Sequence, residues 1–233
     1  MVQEPTALAG PFRDAPPIER DTLHQQVYDR LKHAIVSGGI VPGTALSVRS
    51  LARALGTSPM PVREALRRLI AERALESLPN RSVVLPMPTA DRFAEIRRLR
   101  MAIEGMMVEA AAGLMTPADV DQLEATEAAM EAAESGPPAG YLALHNDFHF
   151  RIYRAAAMPT ALAITESLWM QTGPLLHHLM GSRTLGAARS QHKAVIAALR
   201  RRDGAAARRA LEVDIHDPGD EIMALLRTRE AAA

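Results

Sequence analysis

Apolar residues recur at helical spacing along most of the chain. Leu23, Val27, Leu31 and Ile35 fall on one stripe at i, i+4 intervals. That predicts a helix opening at Asp21 or Thr22, stopped by Gly38-Gly39 and followed by a Pro42-Gly43 turn. Ser47 is a good N-cap for a short helix through Leu55, ended by Gly56. Ser58 caps a second helix with Pro59 at its first position, where a missing N–H costs nothing. Pro61 is still within its first turn. This helix should bury Val62, Leu66 and Leu69 or Ile70, and turn Arg63 and Arg67 outward. In LESLPNRSVVLP a Pro-Asn turn separates two short apolar runs, the pattern of a two-stranded wing.

Pro86 and Pro88 mark a boundary. Beyond it, from Ala90 to about Arg229, nearly everything reads as amphipathic helix: 90–114, 117–134, 140–157, 160–181, 184–201 and 204–227, the last broken near Pro218-Gly219. The breaks hold Pro or Gly, and no strand-like alternation stands out. The expected fold is mainly α: an N-terminal winged helix-turn-helix over 21–88 and a C-terminal all-α helical bundle over 89–229. Residues 1–20, rich in proline and without periodicity, read as a disordered tail.

Composition narrows the function classes. The 233 residues are 48% hydrophobic and 23% charged, as in an ordinary soluble globular protein. Aromatic content of 3% and the dominance of Ala, Leu, Met and Arg favour helices. The absence of cysteine excludes disulfides, thiolate metal ligation and thiol catalysis. No stretch has the apolar length to span a bilayer, and the N-terminus has no signal-peptide core, so the expected location is the cytoplasm. Net charge is zero, which argues against nucleic acid until it is counted regionally. Residues 41–90 hold seven basic side chains (Arg49, Arg53, Arg63, Arg67, Arg68, Arg73, Arg81) and three acidic ones (Glu64, Glu72, Glu76), a balance of +4 that leaves −4 elsewhere. A locally basic module on a slightly acidic body suits a DNA reader joined to a second function.

Within that module, Arg63 lies one turn into the second helix, away from its apolar stripe. Arginine is the commonest specific reader, bidentate to guanine O6 and N7. Arg49, at the start of the preceding helix, can reach a phosphate or a base edge. Ser58 and nearby free N–H groups can hold a phosphate. Arg67 shares the outer face, and Arg81 at the wing tip can enter the minor groove or grip backbone. Arg53, Arg68 and Arg73 fit a solvated face, with Glu64 and Arg68 as i, i+4 partners. The run from Leu23 to Leu85 resembles the winged helix-turn-helix of GntR-type bacterial transcription regulators. YDRLKHAIVSG, Pro42-Gly43, Leu46-Ser47, Leu51-Ala52, Leu55-Gly56 and above all SPMPVREALRRL at 58–69 carry the likeness. The resemblance implies DNA contacts at Arg49 and Arg63. The chain departs from it at Pro59, where many relatives have arginine, and at Ser82, where they have a wing glycine.

The helical half carries a different chemistry. His145 and His149 at i, i+4 stack two imidazoles on one helix face, a familiar way to hold a divalent cation. His192 lies on a later helix, and Asp214 follows in the last one, with His216 close by. One carboxylate and three imidazoles suit Zn²⁺, Ni²⁺, Mn²⁺ or Fe²⁺ with open positions. Residues 90–227 resemble the all-helical effector domain of the FadR-like branch called FCD. The matching residues are Arg100 to Glu104, Phe148-His149, His192 with Ala194 to Leu199, and Ala210-Leu211 leading to Asp214-Ile215. That likeness implies a metal held by an acid and three histidines, here with His145 and Asp214 exchanged relative to the family pattern, and often completed by a small carboxylate. His216 is the rival for the last ligand. Asp147 is the rival carboxylate, although two residues from each histidine it should face elsewhere. Arg100 is the candidate partner for a small organic acid, unless it pairs with Glu104. His177 and His178 are placed near the same pocket. The methionines (Met101, Met106, Met107, Met170, Met180) read as core or dimer packing.

The combined expectation is a homodimeric, ligand-responsive DNA-binding regulator, a repressor rather than an activator and not an enzyme. Its partners are a double-stranded operator and a small organic acid bound at or beside a metal. Two rivals stand beside it: a metal-dependent enzyme acting on a small carboxylic acid, and a constitutive DNA-binding dimer with no effector.

Overall fold

The computed structural model describes residues 23–79, 82–134, 136–180 and 183–232, the side chains of 183–189 excepted. The expected tail at 1–20 and the expected helix start at Asp21 or Thr22 lie outside the described residues. Helix α1, Leu23–Val36, buries Val27, Tyr28, Leu31, Ile35 and Val36 and leaves Leu23 exposed. Helix α2, Val48–Ala54, is capped by Ser47, whose hydroxyl accepts from the Ser50 N–H at 3.1 Å. Gly56, at φ +64°, makes the left-handed turn that ends it. Helix α3, Pro59–Ala71, packs Pro61, Val62, Ala65, Leu66 and Leu69 inward against α1 and α2. The wing has a third strand that the sequence pattern missed. β1 (Ala45–Leu46), β2 (Glu76–Ser77) and β3 (Val83–Val84) form an antiparallel sheet in the order β1-β3-β2, with Val84 opposite both Ala45 and Glu76. A two-residue strand is too short to show alternation, so β1 exists only through its pairing.

The second half is helical throughout: α4 (Ala90–Leu114), α5 (Pro117–Ala133), α6 (Pro138–Ala155), α7 (Pro159–Thr172), a 3₁₀ turn (Gly173–Leu179), α8 (Arg183–Arg200) and α9 (Gly204–Ala231). The starts of these helices are chemically marked. Thr89 caps α4, and Thr116 with Asp119 forms a complete capping box on α5. Asp203 accepts from the Ala206 N–H to cap α9. Two expectations need correction. The helix expected over 160–181 is α7 followed by the 3₁₀ turn, because Gly173-Pro174 removes an N–H and favours the tighter winding. The break expected at Pro218-Gly219 does not occur; α9 runs straight through it. Proline costs that helix a hydrogen bond, but Pro218 is buried. Gly219 also has a use there: a Cβ on it would stand 2.5 Å from Arg97 Cδ. The missing side chain lets Arg97 lie across the helix, where it donates to Asp220 Oδ1 at 2.6 Å and to the His216 carbonyl at 3.3 Å.

The bundle core is built where α4 and α8 pack on α9. The two halves meet through α1, which rests on α6, α7 and the 3₁₀ turn. Gly38, at φ +70°, allows Leu142 to close over the end of α1. Two polar contacts fasten α7 to the N-terminal half. Lys32 pairs with Glu166 at 2.6 Å, and Ser167 Oγ donates to the carbonyl of Glu72, the C-cap of α3, at 3.1 Å. Among the described residues, no helix is long and apolar enough to cross a membrane.

Candidate DNA-reading face and metal centre

The outer face of the N-terminal half presents Arg49 on α2 and Arg63 on α3, both exposed and without an ion-pair partner among the described residues. Arg67 is exposed but held by Glu64 at 2.6 Å. The expected Glu64–Arg68 pair is therefore replaced. Arg68 turns toward α1, where its guanidinium lies 3.7 Å from the Tyr28 ring centroid and donates to Glu72 at 3.0 Å and Gln25 at 2.9 Å. Ser58 is exposed, and its side chain makes no capping bond. One of the two N–H groups it would normally cap belongs to the third helical residue, and here that is Pro61, which has none. The hydroxyl is left facing outward. Arg81 lies outside the described residues.

The four residues singled out for a metal converge. One ligand atom from each of His145, His149, His192 and Asp214 lies within 4.8 Å of all the others. His149 Nε2 is 3.2 Å from His145 Nε2 and 3.4 Å from Asp214 Oδ2; His192 Nε2 is 3.2 Å from Asp214 Oδ1. Ligands about 2.1 Å from a common cation stand about 3.0–3.4 Å apart, so the spacing matches a coordination shell. His149 and His192 are fully enclosed and the other two nearly so, at 9% and 6% exposure. The contact between His192 Nε2 and Asp214 Oδ1 lacks hydrogen-bond geometry, which leaves both as buried polar atoms with no such partner. Buried orphans are costly, and a shared cation satisfies both. The donor set fits a divalent metal on this chain's own geometry.

Hydrogen bonds behind the histidines orient them. Tyr153 donates its hydroxyl proton to Glu104 Oε2 at 2.6 Å, so at 3.2 Å it can only accept from His149 Nδ1. That puts the proton of His149 on Nδ1 and the lone pair on Nε2, facing the cluster. His192 Nδ1 donates to Glu127 Oε2 at 2.9 Å, which turns its Nε2 toward Asp214. Burial, with like charge at its neighbours, pushes His145 down to about 3 and His149 well below its ordinary value. Burial alone would depress His192 as well. Asp214 and Glu127, on either side of it, outweigh that and hold it up to about 9. A proton on His192 therefore competes with a cation for Nε2.

Glu104 itself is fully buried and fully used. It accepts from Arg100 Nε at 2.7 Å and Nη2 at 3.2 Å, from Trp169 Nε1 at 3.0 Å and from Tyr153. Arg100 thus makes the ion pair that its spacing suggested, while its third nitrogen, Nη1, points to Thr172 Oγ1 at 3.4 Å. Arg97, Arg100 and Thr172 line a chamber beside His145, His149 and Asp214, closed by Phe93, Leu176, Ile215 and Ile222. Its free volume is about 30 Å³, room for about two water molecules.

The rival ligands fall elsewhere. His216 is exposed beside Asp217 and Asp220, and Asp147 pairs with Arg151 at 2.6 Å on the outer face of α6. His177 and His178, expected near the pocket, do not line it; the 3₁₀ turn directs Leu176 there instead. Of the methionines, Met107 and Met170 are core, whereas Met106 is 43% exposed. Sequence reasoning missed Tyr153, Trp169, Glu127, Thr172 and Ser167. Tyr153 had a signal, since it extends the His145-His149 stripe by another four residues. Glu127 had none among the many glutamates of α5.

Comparison with known proteins gives two family matches: bacterial regulatory proteins of the gntR family over residues 23–85, and the FCD domain over residues 95–217. The chain is 36% identical over 159 residues to the HTH-type transcriptional regulator McbR of Escherichia coli K12, covering 68% of this chain and 72% of that one. It is 28% identical over 194 residues to the "Probable D-xylose utilization operon transcriptional repressor" of Paenarthrobacter nicotinovorans, covering 83% and 86%. The solved structure of E. coli McbR/YncC superposes with a TM-score of 0.80 at 29% identity, over 90% of this chain and 99% of that one.

Proposed function

The chain belongs to the gntR family of bacterial regulatory proteins and carries an FCD domain; it is a DNA-binding transcriptional regulator and not an enzyme, and from that premise we propose how it is controlled. It acts in the cytoplasm as a homodimeric repressor. Residues 21–88 of each protomer read half of a pseudo-palindromic operator through Arg49, Ser58, Arg63, Arg67 and Arg81. Residues 89–229 dimerise and hold a divalent cation (Zn²⁺, Ni²⁺, Mn²⁺ or Fe²⁺) on His145, His149, His192 and Asp214. A small organic acid enters the chamber beside them, with Arg100 as its partner. A bound cation would supply a Lewis-acidic point for a carboxylate oxygen, while this chain's arginines and Thr172 orient the acid and Phe93, Leu176 and Ile222 exclude water.

The single observation that carries this reading is the buried His/His/His/Asp cluster opening on an arginine-lined chamber. The size of that chamber suggests how control works. The chamber is narrow, about 30 Å³, so an acid that fills it presses on its walls, Leu176 among them. Leu176 belongs to the 3₁₀ turn that continues α7, and α7 holds the C-cap of α3 through Ser167 and holds α1 through Glu166. Entry of the acid at the C-terminal end of α7 therefore works against the contacts that Glu166 and Ser167 make with the reading head about one and a half turns earlier in the same helix. The ligand changes DNA affinity to the extent that it binds the two arrangements unequally, typically about 5–150-fold.

The test is elemental analysis of the purified chain, followed by operator titration of the native, chelated and metal-restored protein against short carboxylic acids. A stoichiometric cation and an acid-dependent change in DNA affinity that chelation abolishes are expected. A metal-free chain, with operator affinity indifferent to both, would establish a constitutive dimer instead.

A further inference from the structure

The leading edge of the reading helix is apolar. Met60 is the second residue of α3 and, at 61%, the most exposed large hydrophobic side chain among the described residues. It is not part of the packing face, which runs through Pro61, Val62, Ala65, Leu66 and Leu69. It shares the outer face with Arg63 and Arg67, at i+3 and i+7. Side chains on a helix lean toward its N-terminus, so Met60 projects ahead of Arg63, past the helix end. The polar alternatives at this end are thinned out. Pro59 and Pro61 remove the N–H groups of the first and third residues. Only the Met60 N–H remains of the first three, so backbone capture of a phosphate is weak here.

An unpaired methionine at a DNA-facing helix tip has one apolar partner in the major groove, the C5-methyl group of thymine. We propose that Met60 is a specificity-determining residue that reads a thymine methyl next to the base pair contacted by Arg63. The inference rests on the family reading of this half as a DNA binder, and it asks which base feature is read. Methionine suits the task because its flexible, polarisable thioether adapts to a small apolar target. One buried methyl corresponds to about a four-fold change in affinity per half-site.

The experiment starts from duplexes selected from a random pool by the full-length protein. In the selected operator, each thymine is replaced in turn by deoxyuridine, which removes only the C5-methyl, and affinity is measured by fluorescence anisotropy at fixed salt. The expected result is one thymine per half-site whose replacement weakens binding about four-fold. Met60→Ala should lose about as much on the natural operator and become insensitive to that replacement, with Met60→Leu retaining most of the sensitivity. The inference is overturned if no thymine responds, or if the response is undiminished in Met60→Ala. It is also overturned if Met60→Ala weakens all duplexes equally. Failure to enrich any sequence would overturn the DNA-reading assignment and this inference together, and so is distinguishable from the loss of this inference alone.

Discussion

Glu104→Gln is a nearly isosteric change that should disable the proposed metal site from two hydrogen bonds away. In the native arrangement the carboxylate accepts from Arg100, Tyr153 and Trp169 and donates to nothing. A glutamine keeps one acceptor oxygen and puts an NH₂ where the other stood. If the amide oxygen stays on Trp169, the NH₂ faces the Tyr153 hydroxyl at a spacing of 2.6 Å, and two donors oppose each other. The hydroxyl must then accept from the amide and turn its proton toward His149 Nδ1, 3.2 Å away. That drives the imidazole proton to Nε2, the atom facing the cluster. Loss of such an orienting bond costs about 10–100-fold in metal affinity. The guanidinium of Arg100, whose side chain is 11% exposed, also loses its counter-charge. Breaking a buried pair costs about 3–5 kcal/mol; the retained neutral contacts place this variant near the lower end, a fall in Tm of about 6–12 °C. Metal affinity is read by competition with a chromophoric chelator, and stability by thermal melts of the metal-free protein. Tyr153→Phe is the control: it removes the acceptor for His149 without reversing the bond, and should weaken metal binding about ten-fold. A Glu104→Gln protein that is destabilised yet binds metal as tightly as the native chain would refute the relay.

Three further outcomes follow from the same geometry. Glu127→Gln, behind His192, should lower metal affinity about 10–100-fold while leaving the helical content intact; equal affinity in a chelator competition would remove Glu127 from the site. Ser167→Ala removes the bond from α7 to the C-cap of α3 and should leave ligand-free operator binding near normal. The ligand-induced change should shrink by about 0.5–1.5 kcal/mol, and a full-sized response in paired anisotropy titrations would count against α7 as the connection. Arg63→Ala should cost about 1–3 kcal/mol of discrimination at one base pair per half-site with an unchanged circular dichroism spectrum; selection of the same operator by the variant would end its base-reading role.

The helices were legible because their ends are marked by local chemistry. Ser47, Thr89, Thr116 and Asp203 each accept from a backbone N–H three residues on, a signal that needs no tertiary knowledge. Proline was the unreliable marker. At Pro59, Pro117 and Pro159 it opens a helix, whereas at Pro218 it sits inside one. What separates the two cases is burial and the neighbouring Arg97, and neither is written in the local sequence. Strand β1 was invisible for a related reason: its two residues become a strand only because Val83 and Val84 pair with them.

The candidate site was legible to the depth of the four side chains that converge in it and no further. His145 and His149 announce themselves by spacing, and the resemblance pointed to His192 and Asp214, but spacing says nothing about which nitrogen carries the proton. That depends on Tyr153 and Glu127, one on α6 beside the two histidines and one on α5, through bonds that form only after the bundle closes. Arg100 shows the same limit from the other side. Its i, i+4 pairing with Glu104 was foreseeable, and taken alone it competes with a role in holding an acid. The structure removes the competition, because Nε and Nη2 serve Glu104 while Nη1 faces Thr172 on the chamber wall. A guanidinium has donors enough for both tasks. Fixed on two of them by a buried carboxylate, it offers the remainder in a set direction, at little further entropic cost when an anion arrives. On the proposed reading the ion pair prepares Arg100 for a ligand, and Arg100→Lys, which keeps the charge but not the fork, should cost effector affinity out of proportion to its effect on folding.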